Sequence, residues 1–330
     1  MRKHMVLGVS LALLGGPALA QSPAVTSFKI VNLVSDQSGK AKNFDPNLVN
    51  PWGLAQGPGS DPIWAADNVT NVSTVYAQKT GKVNSLVVTI PDGVPTGIVY
   101  APSIGFKITE NGQSGDSTFI FNSQMGVISG WNSSVDPTNA VIAVDNSKKG
   151  AGYTGLAVDT SSKLLFAANF AQNEVEVYNS KWKLVGTFTD SSLTGYDPYN
   201  VAVIGGNLYV TFVSFSAGGG FVDVFSESGH LQQQLIANGK LNAPWGLTIA
   251  PSTFGTFANS LLVGNLGDGT INAYDSGTGK FLGTLSNSKR KPLVVDGLWA
   301  LDPVPKGNVT FSAGPGGYSF GLIGMIEPVK

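Results

Sequence analysis

One repeat constrains this chain more than any other feature. A turn followed by a short apolar strand recurs six times: Pro51-Trp52-Gly53-Leu54-Ala55, Pro95-Thr96-Gly97-Ile98-Val99, Tyr153-Thr154-Gly155-Leu156-Ala157, Pro198-Tyr199-Asn200-Val201-Ala202, Pro244-Trp245-Gly246-Leu247-Thr248 and Val295-Asp296-Gly297-Leu298-Trp299. The anchors at 53, 97, 155, 200, 246 and 297 lie about 49 residues apart on average, a propeller-blade period. A second strand ends in Asn or Asp, as in Ile63–Asn68, Leu165–Asn169 and Leu262–Asn265. A third alternates and ends in an aromatic residue, as at Tyr76, Trp131, Tyr178, Phe225 and Tyr274. A Gly or polar turn leads to a fourth.

Four short strands of period 2, repeated at this interval, predict an all-β chain: a six-bladed β-propeller with four antiparallel strands per blade. No long stretch has helical periodicity. After Asp296 only three strands are legible, around 298–301, 309–312 and 322–326. The N-terminal strand Phe28–Val34 supplies the missing fourth and closes the ring, which removes an exposed edge. Residues 21–330 thus form one propeller domain. The Gly-rich segment Ile104–Ser117 is the longest candidate insertion within a blade.

Residues 1–20 read differently. Arg2, Lys3 and His4 precede an apolar run from Met5 to Leu14, and Ala18-Leu19-Ala20 gives a small-x-small pattern before Gln21. This three-part order predicts a secretory signal peptide, and hence a secreted or periplasmic protein. No later segment is long and apolar enough for a membrane span.

Composition then excludes several chemistries. The chain has no Cys, so it has no disulfide, thiolate site or Cys nucleophile. It has two His, one of them in the leader, so a multi-histidine metal centre is excluded. Charged residues make up only 12%, with a net charge of −1, which does not suit a nucleic-acid partner. Gly317-Tyr318-Ser319-Phe320-Gly321 matches G-x-S-x-G, but no His follows and no helix is expected, so it is not a nucleophile elbow. His230 falls in the hairpin between the third and fourth strands of blade four.

The repeat phrases resemble a known group. Asn32–Asp36, Asp45–Gly53, Ile128–Asn132, Leu241–Gly246, Leu261–Gly269, Asp296–Leu301 and Phe311–Gly314 are similar, in order, to an uncharacterised family of secreted bacterial proteins sometimes found with PEP-CTERM signals. That family is distantly NHL-repeat-like. The resemblance implies a six-bladed propeller and brings no assigned activity.

In a propeller, inner-strand starts and second-strand ends share one face. Trp52, Thr96, Thr154, Tyr199, Asn200, Trp245 and Asp296 are therefore expected near one channel mouth. Asp67, Asn68, Asn169, Asn265 and Asp268 are expected to join them. Trp52, Asn68, Asn169, Asn200, Trp245, Asn265, Asp268 and Asp296 form the candidate ligand-binding set. Aromatic rings with amides suit an uncharged polar ligand such as a sugar. The plainer reading makes the tryptophans wedges between blades and the Asn and Asp residues turn formers.

The leading expectation is a monomeric, non-catalytic module that binds a small polar ligand or an envelope or extracellular protein. The alternative is a lactonase or hydrolase assisted by a divalent cation such as Ca²⁺, with Asp296 and Asn200 as candidate ligands. No other cofactor is expected.

Overall fold

The computed structural model describes residues 26–304 and 307–329. The expected leader, residues 1–20, lies outside them. Six sheets stand around one axis. The first five blades contain, from the axis outward, 51–56, 63–67, 72–76 and 83–89; then 95–100, 119–123, 127–131 and 141–145; 153–159, 164–169, 174–179 and 184–188; 197–204, 207–213, 221–225 and 231–237; and 244–249, 261–265, 271–274 and 281–284. The sixth has strands 298–304, 308–313 and 322–329, closed by Ser27–Ser35 antiparallel to the last of these.

The N-terminal closure is as expected, and core packing holds it. Phe28 is buried against Phe254, with ring centroids 4.8 Å apart, and lies parallel to Phe257 at 5.8 Å. Lys29 Nζ meets Glu327 Oε2 at 2.9 Å across the same strand pair. The insertion in blade two forms a small hairpin, Lys107–Glu110 with Gln113–Asp116. Helix is confined to three single 3₁₀ turns among the described residues.

The period-2 pattern is visible in packing. Third-strand aromatics Tyr76, Trp131, Tyr178, Phe225 and Tyr274 are all buried and join clusters that fill the space between neighbouring blades. Outer strands such as Leu184–Phe188 are mostly exposed.

The inner strands converge most tightly. A Cβ on Gly53 would stand 2.7 Å from the Thr96 carbonyl oxygen of the next blade. One on Gly97 would lie 2.5 Å from Leu156 Cβ, and one on Gly246 would lie 2.7 Å from the Trp299 carbonyl oxygen. Glycine is required at these places by the approach of the neighbouring strand.

Deleting the closing ring tests this account of closure. Phe28→Ala should cost about 3–5 kcal/mol, as for large aromatic truncations in cores. Urea unfolding should show a lower midpoint. A loss under about 1 kcal/mol would mean that this strand does not clamp the ring.

Candidate functional site

Each blade bulges at its mouth-side inner-strand start. The register slips between Pro51 and Leu54, Tyr153 and Gly155, Pro198 and Asn200, Pro244 and Gly246, and Leu298 and Leu301. In blade two the extra residue also falls on the inner strand, where Pro95–Ile98 faces Phe121–Ser123. A bulge re-aims side chains. Here the mouth positions are Trp52, Thr96, Thr154, Tyr199, Trp245 and Trp299, one from each blade.

The sixth member corrects the sequence alignment. The repeat aligns Asp296-Gly297 with Trp52-Gly53, but in the structure Trp299-Ala300 occupies that place. The backbone N–H of Ala300 donates to Ser312 Oγ at 3.1 Å. The equivalent N–H groups of Gly97 and Asn200 donate to Asn122 Oδ1 and Thr211 Oγ1 on their own second strands. Asp296 sits three residues earlier, exposed, and accepts the Gly316 N–H at 2.9 Å.

Four of the six mouth residues are aromatic, and they plug the channel. Trp52 stacks on Trp299 at 3.6 Å between centroids. Trp245 meets both edge-on at 6.4 and 5.9 Å, and Tyr199 lies 6.3 Å from Trp52. Trp245 Nε1 donates to the Thr154 carbonyl at 3.0 Å, and Trp299 Nε1 donates to Asn50 Oδ1 at 2.9 Å. Trp52 Nε1 and Thr154 Oγ1 are buried with no partner among the described residues.

Above this floor is a pocket of about 390 Å³. Its wall adds Phe170, Phe215, Leu266 and Tyr318, with Asn50, Asn68 and Gln124 as the polar members. Phe215 is 66% exposed and Tyr318 43%, so the rim offers apolar faces to solvent. No charged side chain lines it. The rim residues stand on loops between second and third strands, which sequence reasoning passed over. Tyr318 lies within Gly317–Gly321, a loop with no blade phrase, and Phe215 follows a strand with no distinctive ending.

The remaining candidates divide. Trp52 and Trp245 are in the plug, and Asn68 lines the pocket while donating to the Pro95 carbonyl at 3.1 Å. Asn200 faces the channel beneath the plug, and its Nδ2 donates to the Trp245 carbonyl at 2.8 Å. Asn169 and Asn265 are turned inward: their Oδ1 atoms accept the Gly152 and Asn242 N–H groups. Asp268 is an exposed turn former that accepts from Thr270. The suggested metal pair is not assembled: Asn200 faces the channel and Asp296 holds a rim loop. Among the described residues, no group of three His, Asp or Glu side chains is placed to hold a metal ion.

Buried acids lie away from the pocket. Glu176 accepts from Asn169 Nδ2 at 2.9 Å, Tyr153 Oη at 2.7 Å and Tyr178 Oη. Asp223, at the equivalent third-strand position, has no donor of its own among the described residues. Burial, then the neighbouring Asp190 carboxyl, pushes it up to about 8.

No protein-family model matches the chain. Among solved structures, a streptogramin B lyase shares 12% identity at a TM-score of 0.59, covering 94% of this chain and all of its own. Hydrazine synthase of Kuenenia stuttgartiensis shares 13% at 0.55, covering 84% of this chain and 79% of its own. These likenesses extend to the fold, and the protein is a six-bladed β-propeller with an aromatic plug across its channel.

One uncharacterised protein of Acanthamoeba polyphaga mimivirus is 30% identical over 301 residues, covering 85% of this chain and 74% of its own. A second from that virus is 28% identical over 328 residues, covering 92% and 86%. The chain belongs to the family of these mimivirus proteins. That corrects the resemblance read from the sequence, since the curated relatives are viral and not secreted bacterial proteins with PEP-CTERM signals. The phrases that suggested it are largely blade starts and strand ends, which scaffold packing demands whatever the host.

The buried acids set a pH dependence. An unfolded Asp titrates near 3.9, so across about pH 4–8 the folded chain holds a proton on Asp223 that the unfolded chain has released. Stability must fall as pH rises through that window. Asp67, raised by burial, adds in the same direction. Asp159, lowered to about 2 by its Ser161 hydrogen bond, acts oppositely, below about pH 4. The melting temperature should be higher at pH 5 than at pH 8, and Asp223→Asn should flatten that slope. An unchanged slope in the variant would exclude Asp223 as its source.

Proposed function

We propose that this propeller is a non-catalytic binding module whose ligand is small, uncharged and polar, with a flat apolar face, such as a saccharide. The observation that carries this reading is the mouth pocket. Its floor is stacked indoles, its rim is Phe215 and Tyr318, and its polar members are amides and a hydroxyl. Aromatic faces cover the C–H face of a sugar ring while amides pair with its hydroxyls.

Two enzymatic readings have less support. A cation-assisted hydrolase has no assembled acidic site among the described residues. A virginiamycin B lyase from Staphylococcus aureus, similar in fold at a TM-score of 0.56, was solved with quinupristin as a catalytically inactive histidine-to-alanine variant. Here His230, the single histidine among the described residues, is exposed in an outer hairpin of blade four and does not line the pocket.

The test uses intrinsic tryptophan fluorescence with maltose, cellobiose and N,N′-diacetylchitobiose. At least one should give a saturable change. Phe215→Ala should leave the melting temperature near its original value, because the ring is mostly exposed, and should weaken binding by roughly 3- to 10-fold. No response to any of the three, or turnover of a bound sugar, would defeat the proposal. The same reading takes the protein to be exported, on the leader-like order of residues 1–20. N-terminal sequencing of protein from its native host should then begin at Gln21, and an intact Met1 would refute export by this leader.

A further inference from the structure

The channel does not end at the aromatic plug. Beneath it the inner strands enclose a second cavity of about 350 Å³, which runs toward the opposite face. A neighbouring hollow of about 420 Å³ shares Gln56 and Asp302 with it. Asp302 therefore stands where the two spaces meet, at the far end of the blade-six inner strand.

Its surroundings leave it without a counter-charge. Asp302 Oδ2 is shut off from solvent and has no hydrogen-bond partner among the described residues. Gln56 is the neutral side chain that approaches the carboxyl, and its amide is shared: Nε2 also donates to the Pro303 carbonyl at 2.9 Å and Oε1 accepts from Gln78 Nε2 at 2.6 Å. No Lys, Arg or His lines either cavity. Asp61 stands against Gly57 at the rim and adds a second acid. Burial pushes the Asp302 carboxyl up to about 7, the response of an acid that lacks a cation.

We propose that this far mouth binds a small organic cation: a primary ammonium group seated on the Asp302 carboxylate, with its hydrocarbon stem in the channel. Such a group brings three donors and the missing positive charge to a carboxylate that the fold leaves without a cation. Leu54, Ile98, Val201 and Leu247 are among the residues that line the channel above Asp302 and offer apolar contact to a short alkyl stem. An anion would meet Asp302 with no cation to offset it. The site shares no residue with the mouth pocket and does not depend on the reading given to that pocket.

The experiment is calorimetric titration of the full chain with n-butylammonium chloride at pH 8, with 1-butanol and sodium chloride as references. The expected result is a saturable isotherm for butylammonium at millimolar concentration and none for the neutral alcohol or the salt. Asp302→Asn should weaken butylammonium binding at least tenfold. Equal responses to butylammonium and butanol would overturn the proposal, as would undiminished binding in Asp302→Asn. Should that variant fail to fold, the comparison of amine with alcohol on the unaltered chain decides alone.

Discussion

The close approach of six inner strands around one axis is the constraint on which the rest of this molecule depends. At Gly53, Gly97, Gly155 and Gly246 the next blade stands where a Cβ would be, so the anchor of the repeat is steric before it is anything else. The two exceptions obey the same rule. Ala300 is the smallest residue after glycine. Asn200 spans the gap to the next blade and donates to the Trp245 carbonyl. With the anchor pressed against its neighbour and the strand bulged, the preceding side chain is directed to the axis. Six blades then deliver six side chains to one place, and because four are aromatic the channel closes there. The plug and the two cavities it separates follow from packing at the axis.

A second economy concerns polar groups. The chain is poorly charged, and its blades use amides and hydroxyls where other folds use ion pairs. A second-strand end pairs with a third-strand residue in several blades: Asp67 with Thr74 at 2.7 Å, Asn169 with Glu176 at 2.9 Å, and Asn265 with Asn272 through the shared Lys240 carbonyl. These pairs also hold the loop entering the inner strand, as Asn169 does with the Gly152 N–H. One position is thereby answered differently in each blade. Glu176 is surrounded by donors, whereas Asp223 faces only another acid and is held toward its neutral form.

This explains what could be read in advance. The blade number, the strand order and the N-terminal closure were legible because period-2 alternation and steric anchors repeat at similar spacing. Asn169 and Asn265 were rightly located at second-strand ends, but the sequence pattern does not reveal that their side chains turn back to bracket a loop. In blade six, Asp296-Gly297 imitates the anchor and lies three residues early. Gly297 has φ of 66°, a turn requirement, whereas the steric anchor is Ala300. Trp299 was therefore missed, although Trp299-Ala300 echoes Trp52-Gly53 and Trp245-Gly246. The rim was not legible because Phe170, Phe215 and Tyr318 lie in loops that share no phrase, and only the ring brings them together.

The plug also determines which of its members is free to act. Trp245 and Trp299 each spend their indole N–H inside the protein, on the Thr154 carbonyl and on Asn50. Those bonds fix ring orientation, and the stacked pair inherits it, because Trp52 lies at 18° to Trp299. Trp52 is thus positioned by its neighbours and keeps its own donor unspent. A buried N–H without a partner is costly, and the stacking of Trp52 on Trp299 offsets part of that cost. Trp131 Nε1 is likewise buried without a partner in the blade-two core, so what distinguishes Trp52 is its place: its ring forms part of the mouth-pocket floor. The packed tryptophans and the pocket floor are then two consequences of one arrangement, with scaffold packing fixing the orientation of the rings that face the pocket.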